Sequence, residues 1–198
     1  MKRILVLSIY MFAMVTGIAT YANASSKDGE RKKSEITLTL NDVKEGQLLS
    51  IKDINGIVLY NSTIATSGLY NNKFDLTALP NGTYYFEHEK GYEIKIIPFT
   101  VSIGEVTFNK KNEKSIFKPV VNLKNNNLYL TQLSLDKSDV EVKIYYTSDN
   151  SEFNLIHSED ISNTTNINRI YKLAEKRTGN YKVIINANGR DYVEYFTI

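Results

Sequence analysis

The chain has 198 residues, a formal net charge of +2, and neither cysteine nor tryptophan. Lack of cysteine excludes a disulfide framework, a thiolate metal site and a lipid-modified cysteine anchor. The near balance of 24 basic and 22 acidic residues excludes the strong positive field that nucleic acids or anionic lipid surfaces require.

Lys2 and Arg3 precede an apolar run from Ile4 to Ala19, followed by Ala22-Asn23-Ala24 in small-x-small form. These are the three parts of a secretory signal, and the run is shorter than the roughly 20 residues a bilayer-spanning helix needs. Residues 1–24 are expected to be a signal peptide, leaving the exported chain uncharged overall and without membrane insertion after cleavage. Residues 25–33 are polar and read as a flexible leader. Export would place the protein in the periplasm, on the outer surface or in the medium.

Ile36-Thr37-Leu38-Thr39-Leu40 alternates with period 2, the pattern of a half-buried strand. Leu48–Asp53 and Ile57–Ile64 follow, joined by Asn55-Gly56, a pair suited to a type I′ turn with both residues at positive φ. Further strands are expected at Tyr70–Leu76, Thr83–Glu89 and Glu93–Val101. Val106–Phe108 is a candidate edge strand, with a charged hinge at 110–114. In the second half, strands are expected at Lys118–Leu123, Leu128–Leu135, Val140–Tyr146, Asn154–Ser158, Asn166–Tyr171, Asn180–Asn186 and Arg190–Ile198. Turns fall at Asn125–Asn127, Ser148–Asn150 and Asn188-Gly189. Helix is nearly absent; the short segment 173–177 is the one amphipathic candidate.

A single constant shift of the chain carries Phe74 onto Tyr171, Leu76 onto Leu173, Gly82 onto Gly179 and Tyr84 onto Tyr181. The same shift carries Ile36 onto Leu133, Leu38 onto Leu135 and Asp42 onto Asp139. Units of this length exceed solenoid repeats and each has strands enough for a small core. The reading is all-β: two tandem immunoglobulin-like or fibronectin-III-like β-sandwich domains at 34–104 and 113–198, joined by a linker at 105–112.

In each half an aromatic, a Leu and a Gly-x-Tyr recur. Leu76, Gly82 and Tyr84, and likewise Leu173, Gly179 and Tyr181, read as a tyrosine corner, with a buried ring whose hydroxyl bonds backbone upstream. Glycine allows a positive φ or a close approach there. The spacing of Asp53-Ile-Asn-Gly56 and Leu76-Thr-Ala-Leu-Pro-Asn-Gly-Thr-Tyr84 resembles that of type IX secretion C-terminal sorting domains. The Gly-x-Tyr hairpin and the terminal Phe196-Thr197-Ile198 are similar to those of small secreted Bacteroidetes proteins of unknown function. The resemblance implies a β-sandwich exported to the cell surface and no catalytic role.

The two histidines, His88 and His157, stand in different halves with no nucleophile motif nearby and read as ordinary exposed residues. No catalytic residue, cofactor site or metal site is assigned. Glu87 and Glu89 share a strand face, read as solvated, so they do not suggest a glycosidase pair. Strand alternation sends one residue of each pair Tyr84-Tyr85 and Tyr145-Tyr146 outward. Tyr85, Tyr145 and Tyr146 are therefore the candidate ligand platform. The expected function is non-enzymatic binding or structural support, with an unknown protein or glycan at the cell surface as partner. A surface glycan-binding module and a type IX sorting or anchoring unit are the alternatives.

Overall fold

The computed structural model describes residues 35–148, 152–174 and 178–198. The expected signal (1–24) and leader (25–33) lie outside the described residues, as do Asp149, Asn150 and residues 175–177 of the short amphipathic segment.

Among the described residues fifteen antiparallel strands account for nearly all of the regular structure. Strand β1 (Glu35–Val43) pairs with β4 (Gly68–Asp75), setting Ile36 opposite Phe74. This ribbon packs on a sheet ordered β3 (Val58–Thr63), β2 (Leu48–Asp53), β5 (Gly82–Glu89), β6 (Glu93–Ser102), β7 (Glu105–Phe108). Alternation turns Leu38, Leu40, Ile51, Phe86 and Phe99 inward into one core. Its centre is aromatic. Phe86 lies 5.1 Å from Phe74 and 5.3 Å from Phe99, ring centroid to centroid, and each such pair adds about 1 kcal/mol to the burial term.

The second sandwich repeats this plan. The ribbon is β9 (Val120–Lys124), β10 (Asn127–Leu133) and β13 (Asn166–Lys172). The facing sheet runs β12 (Asn154–Ile161), β11 (Val140–Thr147), β14 (Asn180–Ala187), β15 (Arg190–Thr197). Leu128, Leu130, Val142, Ile144, Ile167, Val183 and Ile185 fill a separate core.

The strands fall where period-2 alternation puts them, but three details depart from the sequence reading. The constant shift fails in the early strands. Phe74 faces Ile36, whereas its counterpart Tyr171 faces Leu128, so Leu128 rather than Leu133 occupies the place of Ile36. Leu38 is 5% exposed and Leu135 is 62% exposed, which separates that pair too. The hairpin from Ile144 to His157 is longer than the one from Ile51 to Tyr60, and the register slips there.

The join also moves. Residues 105–112 are not a free linker: β7 pairs with β6, a 3-10 turn spans Lys110–Asn112, and β8 (Lys114–Phe117) returns to pair with β6. The first sheet therefore continues to Phe117, past the boundary expected at 113, and the connection narrows to Lys118-Pro119. Finally, Asn55-Gly56 does not form the expected type I′ turn, because only Gly56 has positive φ (+83°). Asp53 Oδ1 instead accepts from the backbone N–H of Asn55 and Ile57, and Asp53 C=O accepts from Gly56 N–H. The turn is built around an aspartate, which satisfies the donors that a mirror turn would have paired. Asn188-Gly189, with φ of 54° and 68°, does have both residues positive.

Candidate functional site

The tyrosines of the two Gly-x-Tyr motifs are buried, each in the core of its own sandwich. Tyr84 is 6% exposed and its hydroxyl donates to Pro80 C=O at 2.8 Å, four residues upstream. Gly82 does not have positive φ; a Cβ there would touch the Tyr84 ring at 3.4 Å. Tyr84→Phe is expected to cost about 1–2 kcal/mol, since the ring still packs while the Pro80 carbonyl loses its partner. Chemical denaturation would measure it; an unchanged midpoint and slope would remove the corner's hydrogen bond from the account.

Tyr181 is buried with its ring 5.0 Å from Tyr146. Gly179, at φ +152°, stands so close that a Cβ would lie 2.5 Å from Thr147 O and 2.8 Å from the Tyr146 ring. Tyr146 Oη donates to Thr178 C=O at 2.9 Å. Tyr146 is thus committed to packing and bonding inside the second sandwich. It cannot serve in the ligand platform for which the sequence proposed it.

Tyr145 points the other way and heads an outward row. Cross-strand pairing places Tyr145 opposite Lys182, and Lys182 opposite Tyr195, so three adjacent strands present aromatic, cation, aromatic side by side. The Lys182 ammonium lies 4.6 Å from the Tyr145 ring centroid and 4.9 Å from that of Phe153. Phe153 meets Tyr195 edge-on at 6.1 Å. The Lys182 ammonium thus lies over rings whose quadrupoles attract its charge. Tyr195 remains 65% exposed. Lys182 and Tyr195 were legible in principle, because buried Tyr181 and Val183 force Lys182 outward. Phe153, from a loop, was not.

Tyr85 does not join this row. In the first sandwich the corresponding row is Lys52, Tyr85, Pro98, with cation and aromatic exchanged. Beside it lies an ion triad around a buried carboxylate. Glu87 is 3% exposed; it accepts from Arg190 Nη2 at 2.6 Å, Arg190 Nη1 at 3.2 Å and Lys52 Nζ at 2.8 Å. Arg190 belongs to the second sandwich, so this carboxylate, read from sequence as solvated, ties the two sandwiches together. Burial alone would raise its pKa. The hydrogen bonds and charges of Arg190 and Lys52 outweigh that and hold it below the ordinary carboxylate value. Tyr85 sits against this pocket, and burial together with the Glu87 charge pushes its phenol up. Tyr85 and Tyr145 therefore do not form one platform.

His88 also departs from the sequence reading. It is 1% exposed, and Nε2 donates to Gln47 Oε1 at 2.8 Å. Desolvation, then the Lys90 charge, lowers its pKa, only partly offset by Glu93; Lys95 acts in the same direction as Lys90. A depressed histidine pKa gives stability that is present above its ordinary value and is lost as pH falls through it. Unfolding free energy is expected to decline on acidification below about pH 6.5, before carboxylates titrate, and His88→Gln should flatten that decline. Stability measured across this pH range in both proteins checks it; a decline of the same size in His88→Gln would contradict the assignment to His88. His157 is exposed as expected, with its ring 5.0 Å from that of Tyr171.

Among the described residues no three His, Asp or Glu side chains converge as metal ligands. No described helix is long and apolar enough to cross a membrane.

No family model matches the chain, and no curated protein matches it. Among solved structures, a chain titled "Biofilm associated protein - BSP domain" is similar, at 13% identity and a TM-score of 0.29. The match covers 84% of this chain and 27% of that one, so this chain spans about a quarter of that structure's length.

Proposed function

We propose that this is an exported, non-enzymatic binding or structural protein of the cell envelope or surface, built of two tandem immunoglobulin-like sandwiches. One observation carries the reading. The buried groups suited to acid–base chemistry, Glu87 and His88, are bonded into the framework, while the outward faces display aromatic and apolar side chains. Groups locked into structural bonds hold the molecule's shape; exposed rings supply contact area. Expression of the full chain in a Gram-negative host, followed by fractionation and intact-mass measurement, tests the localisation. The expected product begins at Ser25 and is found in the envelope or medium. Full-length protein retained in the cytoplasm would contradict it.

A second reading, a glycan-binding module, is favoured by the Tyr145–Lys182–Tyr195 row. Sugar rings stack on flat aromatic surfaces, and a lysine held between two of them adds a hydrogen-bond donor. Titration of purified protein against a polysaccharide panel tests this. Binding that disappears in both Tyr145→Ala and Tyr195→Ala, with melting unchanged, supports the module; no binding to any member of the panel removes it.

A further inference from the structure

Between Asp53 and Lys73 no charged residue occurs, the longest such stretch after the N-terminal apolar run. It forms the β2–β3 turn, the edge strand β3 and the start of β4. Within it Ile54, Ile57, Val58, Leu59, Tyr60 and Leu69 are all exposed. β3 ends its sheet, so its outer row of backbone N–H and C=O groups faces away from β2.

Proteins ordinarily guard such an edge with charge, and among the described residues the other terminal strands do. β1 carries Glu35 and Asp42, β7 Glu105, β9 Lys124, and β15 Arg190, Asp191 and Glu194. In the second sandwich β12 holds the place of β3. There Glu159 accepts from Arg169 Nε at 2.6 Å and from Tyr171 Oη at 2.7 Å, so an ionic cluster ties β12 to β13. In the first sandwich the corresponding place holds the edge-on pair Tyr60–Phe74 at 5.5 Å.

We propose that β3 is a homotypic docking edge, at which two copies of this chain pair antiparallel, β3 to β3, and join their sheets into one. The occupant follows from the charge pattern. An uncharged strand is complemented by an uncharged strand, and β3 set against its own copy buries no lone charge and meets no like charge. β3 is the one terminal strand among the described residues that carries none. Pairing would satisfy the free backbone groups and cover Val58, Leu59 and Tyr60 together. This association stands apart from glycan binding on the Tyr145 row, which lies on the other sandwich.

Sedimentation of the exported protein over a concentration series, with single-lysine variants, tests the pairing. The wild type is expected to dimerise, and Leu59→Lys and Asn61→Lys to weaken association at least about tenfold with unchanged melting temperature. Leu155→Lys on β12 should leave the dimer intact. Because the protein has no cysteine, Asn61→Cys supplies a single thiol, and oxidation should link it to its own kind. That assay decides even if a lysine variant fails to fold. A wild type monomeric at every concentration, a dimer indifferent to both β3 lysines, or loss of the dimer in Leu155→Lys would each overturn the proposal. So would a mixed sample in which Asn61→Cys links only to Ile156→Cys.

Discussion

Replacing Glu87 with alanine is expected to destabilise the protein by about 3 kcal/mol, among the largest single effects in the chain. The substitution leaves Lys52 and Arg190 facing each other without their anion, the costly way of breaking a buried ion pair. Arg190→Ala should cost less, about 1–2 kcal/mol, because Glu87 keeps Lys52 as its partner and no buried charge is left unpaired. Since both changes act on one network, the double variant should fall well short of the sum. The pH dependence has a definite sign. A carboxylate with a depressed folded pKa contributes stability above the ordinary carboxylate range and loses it as pH falls through the folded value. Glu87→Gln should remove that part of the acid destabilisation. Denaturation midpoints from about pH 7 to pH 3 check both statements; additive single losses or an unaltered acid limb would contradict them.

Gly179→Ala should be more damaging still, and Gly82→Ala almost harmless, although the two occupy the same position in the motif. At Gly179 a methyl group meets a backbone oxygen at 2.5 Å, and the φ of +152° already excludes most side chains. The backbone there cannot shift freely, because Gly179 exchanges two hydrogen bonds with Ile198 at 2.9 and 3.0 Å. A loss above about 4 kcal/mol follows, enough to leave the second sandwich unfolded. At Gly82 the methyl meets only the Tyr84 side chain, ring carbon and hydroxyl oxygen both at 3.4 Å, and a change within about 1 kcal/mol is expected. Thermal melts of the two variants decide it. Equal losses would mean that the two glycines answer one common need, which the geometry denies.

Strand positions were legible because one face of each strand is buried and alternation records that directly. What was not legible lay in contacts between distant residues. Glu87 looked solvated because it is polar and lies on the face opposite Phe86. The element that covers that face, Arg190, stands 103 residues away and leaves no mark in the local pattern. His88 was misread for a similar reason, its partner Gln47 lying 41 residues upstream. Alternation correctly required one of Tyr145 and Tyr146 to face outward. Which one depended on the space beside Gly179 and Tyr181, a packing fact. The constant shift misled in β1 and β10 because period-2 strands give apolar coincidences at many offsets, and Leu135 matched Leu38 in kind but not in burial. The aspartate-centred turn at Asp53 was foreseeable only by asking where each backbone donor finds its acceptor.

That the two sandwiches act as one body, coupled through Glu87 and Arg190, is tested most directly by differential scanning calorimetry. Wild type should unfold in a single cooperative transition, with matching calorimetric and van't Hoff enthalpies. The Glu87→Ala/Arg190→Ala protein should show two transitions, one per core. Two well-separated transitions already present in the wild type would contradict the coupling and return the molecule to two independent domains on a short join.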